Sequence, residues 1–233
     1  MERRTKIILG IGIGASLILT TLLIYFAKRN KVRIKNKNPK RILIVGDSQS
    51  AIKDSNGNKI SFTYPNILQK DLSPQGITID VLAMIGKTTD WMKTNLPSQL
   101  SNNKYDRVII YGGGNDTSNS SIPLETTLNN IQQMVEMARQ NGADAFVNLG
   151  WKIQGDFGNY RIMPLTRYLD KQEDWIQYVE KRKQLQKLIP QKIQNSNFIQ
   201  SYDLKSLTQD GIHPNAEGHK LVAEVIKKSI LND

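Results

Sequence analysis

Apolar and polar positions follow three regimes along the chain. Residues 7–27, IILGIGIGASLILTTLLIYFA, are an apolar run without a charge. At about 1.5 Å of rise per residue, such a run spans about 30 Å as a helix, the thickness of a hydrocarbon core. It predicts a single membrane-spanning anchor over residues 1–27. Residues 28–40 then mix Lys, Arg and Asn with no apolar period and predict a solvated linker, or one lying along anionic headgroups. From residue 41 the rhythm changes again. Short apolar runs at 41–45, 77–84, 107–111, 143–149 and 198–202 predict buried strands. Stretches with helical spacing at 64–72, 89–100, 123–140, 170–193 and 215–231 predict helices, with Pro190 marking a break or kink. Strands separated by helices imply a parallel sheet covered on both faces: an α/β fold, here a flavodoxin-like three-layer α/β/α sandwich of five parallel strands over residues 41–233. In such sheets ligands bind beyond the carboxyl ends of the strands.

Charge sharpens this division. The net charge of +11 suggests nucleic acid until it is placed along the chain. Residues 1–41 hold eleven Lys/Arg against one acid, whereas the rest holds 21 bases against 20 acids. The surplus therefore flanks the apolar run and marks a membrane, not a nucleic-acid partner. The run is longer than a signal-peptide core, and IYFAKRN offers no small-x-small cleavage site. The glycines at 10, 12 and 14 lack the preceding strand of a dinucleotide site, although Gly10 and Gly14 form a G-x-x-x-G helix-packing pair. The heavier basic flank lies after the run, which by charge count alone puts the carboxyl-terminal domain in the cytoplasm. The absence of cysteine removes disulfides, thiolate metal sites and thiol nucleophiles.

The residues just past the predicted strand ends carry the candidate chemistry. They are Gly46-Asp47-Ser48 after the first strand, Gly86 after the second, Gly112–Asp116 (GGGND) after the third and Asp210-Gly211-Ile212-His213 after the fifth. Ester hydrolysis through a serine needs a base for its proton, an acid to orient the base, and donors for the oxyanion. Ser48 is a candidate nucleophile, His213 its base, and Asp210 an acid one tight loop away. The backbone N–H groups of Ser48 and Gly86 and the Asn115 amide are candidate oxyanion donors. Plainer readings exist for each residue alone: Ser48 as a helix cap, Asn115 and Asp116 as turn formers, Ser50 as a structural hydroxyl, and His219 as a packing residue within the last helix. Asp47 is expected to bond backbone near the site. A phosphate loop at 112–114 lacks the Gly-Lys-Ser/Thr that would complete it.

In order and in identity, these four blocks resemble those of the SGNH hydrolases, the GDSL-like lipases and acylhydrolases. Gly46-Asp47-Ser48 resembles the nucleophile block, Gly86 the lone-glycine block, Gly114-Asn115-Asp116 the G-x-N-D block, and Asp210-x-x-His213 the D-x-x-H block. The resemblance covers about residues 40–232. It implies a three-layer α/β/α fold, a Ser48–His213–Asp210 triad, an oxyanion hole of Ser48, Gly86 and Asn115, and neither metal nor organic cofactor. One departure is Gln49, where the family often has Leu; the polar residue argues against a plain lipid-acyl pocket. The irregular stretch 150–169 follows the fourth strand and carries Trp151, Phe157, Tyr160, Tyr168, Arg161 and Arg167. Trp151 and Tyr160 are candidates for a substrate wall or for loop packing. The expectation is a membrane-anchored serine esterase acting on small acyl esters, such as O-acetyl groups on cell-surface glycans. Its domain would then face outward, against the charge count. Lysophospholipase or thioesterase activity, and a tethered non-catalytic binding module, are the alternatives.

Overall fold

The computed structural model describes residue 32 and residues 34–152, 172–204, 207–208 and 212–231. The chain divides into two units, Met1–Arg33 and Ile34–Asp233, and the description below concerns the second. The predicted anchor at 7–27 lies outside the described residues; among those described, no helix is long and apolar enough to cross a membrane.

Five parallel strands form one sheet: β1 (Arg41–Gly46), β2 (Thr78–Ala83), β3 (Arg107–Tyr111), β4 (Asp144–Asn148) and β5 (Asn197–Ile199), in the order β2-β1-β3-β4-β5. The helices are α1 (Tyr64–Leu72), α2 (Thr89–Asn102), α3 (Gly114–Ser118), α4 (Leu124–Gln140), α5 (Gln172–Lys192) and α6 (Ala216–Leu231). Strand β1 shows why the sheet is double-faced. Its side chains alternate, so Ile42 and Ile44 pack with Tyr64, Leu68 and Leu72 of α1 and Val222 and Ile226 of α6. Leu43 and Val45 face the other way, onto Met92 and Leu96 of α2, Leu128 and Ile131 of α4, and Leu185 of α5. Four consecutive apolar residues can all be buried only in a strand covered on both faces. The expected three-layer sandwich is therefore observed. Registers such as Gly46 opposite both Ala83 and Tyr111 bring the strands' carboxyl ends level at one edge.

Three strands, β2, β4 and β5, are shorter than their apolar runs. Strand β5 pairs with β4 only through residues 197–199, after which Tyr202 makes a single bridge to Trp151. Helix α5 continues through Pro190 to Lys192, so the proline falls in its last turn instead of ending it. The one-turn helix α3 has no sequence periodicity to announce it.

The linker expectation is corrected for its last residues. Residues 34–40 are pinned to the amino end of the sheet, the end opposite the functional loops. The backbone N–H of Lys35 donates to Asp144 Oδ2 at 2.8 Å, that of Lys40 to Asp106 Oδ2 at 2.7 Å, and the Asn36 amide to Asp106 Oδ1 at 2.6 Å. In return Arg107 Nη2 donates to the Asn36 carbonyl at 2.9 Å. Burial opposes the charge of Asp106, but the donors of Lys40, Arg41 and Asn36 outweigh it and hold its carboxyl below the usual range. This mostly polar segment docks because two carboxylates meet its N–H groups and Ile34 packs against the core.

Helix α1 starts with an unusual partner. Thr63 makes no side-chain cap; the Tyr64 N–H donates instead to His219 Nδ1 at 3.2 Å, and the two rings stack with centroids 6.5 Å apart. His219 is thus a packing residue, as expected, and it must be neutral to accept this bond. Burial, helped by the nearby His213, lowers its pKa to about 4, below the ordinary 6.5. Because the folded value is depressed, the stabilisation is full above about pH 6.5 and declines as pH falls towards 4. Urea melts should lose up to about 3 kcal/mol between pH 7 and pH 4 from this residue. His219→Gln should flatten that slope, and an unchanged slope would remove His219 as its source.

Candidate active site

Strand β1 ends at Gly46 and the chain turns at once, with the Ser50 N–H donating to the Asp47 carbonyl at 3.0 Å. Asp47 is buried, and its Oδ1 accepts the Gln49 N–H at 3.0 Å. Burial pushes its carboxyl up, against the Gln49 N–H and the positive charges of Arg182 and His213. Ser50 is structural as expected: its hydroxyl lies 2.6 Å from the Tyr64 hydroxyl and fastens the turn to α1. Ser48 stands at the top of this braced turn.

His213 arrives from 165 residues away, and its Nε2 lies 3.0 Å from Ser48 Oγ. Two contacts hold the arriving segment. The Asn215 N–H donates to the Leu207 carbonyl at 3.0 Å, within a short bridge between Thr208 and Pro214. Gln49 Nε2 donates to the Ile212 carbonyl at 3.0 Å, tying the serine turn to the residue before the histidine. Gln49 lines the cleft; its amide nitrogen braces the turn that carries Ser48 against the segment that carries His213, and its Oε1 has no hydrogen-bond partner among the described residues. Asp210 lies outside the described residues, as does Tyr160.

The oxyanion candidates come from the next two loops. Gly86 sits at φ +74°, a left-handed conformation that costs a residue with a Cβ about 1–2 kcal/mol. The Asn115 side chain donates one amide hydrogen to the Lys87 carbonyl at 2.9 Å, which fixes the Gly86 loop against α3. Its amide carries a second hydrogen, and Asn115, Gly86 and Ser48 line the same cleft. Beneath them Asp116 is buried and structural, as expected. Its carboxylate accepts the Thr89 N–H at 3.0 Å, the Thr89 hydroxyl, and the Thr127 hydroxyl at 3.3 Å, joining the starts of α2, α3 and α4. The structure thus brings together Ser48, His213, Gly86 and Asn115.

The cleft has a volume of about 130 Å³. Trp151 lines it while also packing in the core, together with Ile85 and three residues that carry no sequence signal: Tyr111, Tyr178 and Arg182. In the sequence Tyr111 marks only the end of a strand. Tyr178 fell among the apolar positions of a helix, and Arg182 is one of 32 basic residues. No spacing separates them from core or surface. Among the described residues no cluster of acidic residues or histidines could hold a metal ion.

A nucleophile and base in hydrogen-bond contact, beside donors at the ends of neighbouring strands, can carry acyl transfer from an ester. Residues 44–221 match the model of the GDSL-like lipase/acylhydrolase family. The chain belongs to this family. It is an ester hydrolase, which sets aside the binding-module alternative. Solved structures share its fold at low identity. The psychrotrophic esterase EstA from Pseudoalteromonas sp. superposes with a TM-score of 0.56 at 18% identity, over 82% of this chain and 96% of its own. The lipase/acylhydrolase from Enterococcus faecalis gives 0.58 at 20%, over 82% and 95%. Axe2, an acetylxylan esterase from Geobacillus stearothermophilus, gives 0.56 at 17%, over 83% and 95%. No curated protein sequence matches the chain.

The bridge from Gln49 to Ile212 is testable in a family whose members often have Leu there. Gln49→Leu should lose about 1–2 kcal/mol of stability in thermal melts. It should also lower kcat for a short-chain ester more than it raises KM, because Ser48 and His213 lose a common anchor. Unchanged kcat with unchanged stability would mean the bridge has no bearing on the site.

Proposed function

We propose that this hydrolase is a membrane-anchored serine esterase that removes small acyl groups, acetyl foremost, from cell-surface glycans. The observation that carries the reading is the 3.0 Å contact between Ser48 Oγ and His213 Nε2 inside a small cleft. At about 130 Å³ the cleft falls well below the roughly 300–1,000 Å³ typical of pockets for drug-sized ligands, and suits a short acyl group. The likeness to an acetylxylan esterase is consistent with an acetyl ester on a carbohydrate.

In the proposed mechanism, neutral His213 accepts the Ser48 proton at Nε2 as Oγ attacks the ester carbonyl. Asp210, three residues before the histidine, orients the imidazole and balances its charge. The oxyanion is held by the Ser48 and Gly86 N–H groups and the free Asn115 amide hydrogen, whose position is set before reaction by the bond to Lys87. Collapse expels the alcohol, which takes the proton from His213, and water repeats the sequence on the acyl-enzyme. No step calls for a metal or an organic cofactor. Residues 7–27 anchor the chain by their length and basic flanks, and an outward-facing domain meets glycan esters.

A second reading, lysophospholipase or thioesterase activity, draws on two exposed apolar residues beside Gly86: Met84 is 46% and Ile85 43% exposed. They offer a site for part of a longer chain outside the small cleft.

The test is a substrate panel with the full chain in detergent. Acetyl esters of phenols and of xylo-oligosaccharides should turn over, and octanoyl esters and lysophosphatidylcholine much less. Ser48→Ala should abolish turnover, and Asn115→Ala should lower kcat by about 10²–10³. Preference for the long-chain substrates would select the second reading, and wild-type rates in Ser48→Ala would overturn both.

A further inference from the structure

One charged residue in the cleft is not used by the mechanism above. Arg182 lies on α5 and is only 5% exposed, yet it lines the cleft beside Ser48 and His213. Among the described residues it forms no ion pair, and its one hydrogen bond is a long one, Nη1 to the Gly112 carbonyl at 3.5 Å. The guanidinium carbon stands 5.9 Å from the centre of the Tyr111 ring. Asp47 is near enough to feel the charge but makes no direct ion pair with it among the described residues. A buried cation without a paired anion is costly, and a fold retains one where something else supplies the anion.

The backbone makes room for this group. Gly150, just past β4, sits at φ +75°, and a Cβ there would lie 2.8 Å from Arg182 Nη2 and 2.9 Å from the Tyr111 hydroxyl. Glycine meets both the left-handed backbone and the space the guanidinium occupies. Gln186, one turn further along α5, donates to the Leu149 and Trp151 carbonyls at 2.8 and 2.9 Å and holds this same loop. The cation is therefore fixed between two strand-end loops. A planar guanidinium so placed, with donors left over, matches a carboxylate.

We propose that Arg182 is the specificity residue of the cleft and selects esters that carry a carboxylate close to the scissile bond. This rests on the esterase reading of Ser48 and His213. The carboxylate belongs either to the acyl group, as in a dicarboxylic half-ester, or to the alcohol, as in an acylated sugar acid, and both place an anion within the same small cleft. Substrate binding then supplies the missing counter-charge to Arg182.

Two substrate pairs separate these sources in the full-length protein in detergent. Monomethyl succinate against methyl butyrate reads a carboxylate on the acyl side, and 3-acetoxybenzoate against phenyl acetate reads one on the alcohol side. In at least one pair the anionic member should have a kcat/KM roughly ten- to a hundredfold higher, the range expected of a charge-assisted bond. Arg182→Met should remove that preference, lowering kcat/KM for the anionic member far more than for the neutral one. Arg182→Lys should keep part of it, and serves if the methionine variant does not fold. Hydrolysis of the neutral esters with no anionic preference in either pair overturns this proposal and leaves the esterase reading standing. A preference that persists in a folded Arg182 variant also overturns it. Failure to hydrolyse any of the four esters, together with no reaction of Ser48 with a fluorophosphonate, is failure of the esterase reading itself.

Discussion

Parallel pairing of five strands is the constraint on which the site depends. Ser48 and His213 are 165 residues apart, and nothing local in either segment favours the other. They meet because a parallel sheet sends every strand's exit to one edge, and because β1, paired on both sides, fixes where that edge lies. Two of the loops beyond the edge are then braced by bonds that reach a distant segment. Asp47 accepts Gln49 N–H while Gln49 reaches Ile212, and Asn115 reaches Lys87 while Asp116 holds Thr89. Precision comes from these polar braces, and position comes from the apolar packing beneath them.

The two ends of the sheet use carboxylates for different purposes. At the amino end Asp106 and Asp144 collect N–H groups from residues 35–41, and their charge is well solvated by donors. At the carboxyl end Asp47 and Asp116 are buried, and burial raises both against the donors that face them. The first arrangement docks a polar strap. The second stiffens a reactive edge, where Arg182 is a buried cation without a direct ion pair among the described residues.

Legibility in the sequence followed locality. The four-residue apolar run of β1, the 64–72 helix and the order of the four motif blocks could be read directly, because each is a pattern within a few residues. The end of β5 could not, since Tyr202 lies beyond the polar Gln200 and Ser201 and only the reach of β4 decides where pairing stops. Residues 34–40 read as free linker because the Asp106 and Asp144 that hold them lie about 70 and 110 residues away. Gln49 was read for its polarity, when its partner Ile212 could be known only from the fold. Arg182 looked like one more basic residue on a helix. What makes it distinctive is burial without a paired anion, a property of three-dimensional surroundings and not of spacing.

The account's central claim is that Ser48 is made nucleophilic by His213 within this braced edge. Reaction of the full chain with a fluorophosphonate, followed by peptide mapping by mass spectrometry, tests it most directly. The prediction is a single adduct on Ser48, lost in Ser48→Ala and slowed by orders of magnitude in His213→Ala. An adduct on Ser50 or on any other hydroxyl, or labelling of Ser48 that is indifferent to His213, would contradict it.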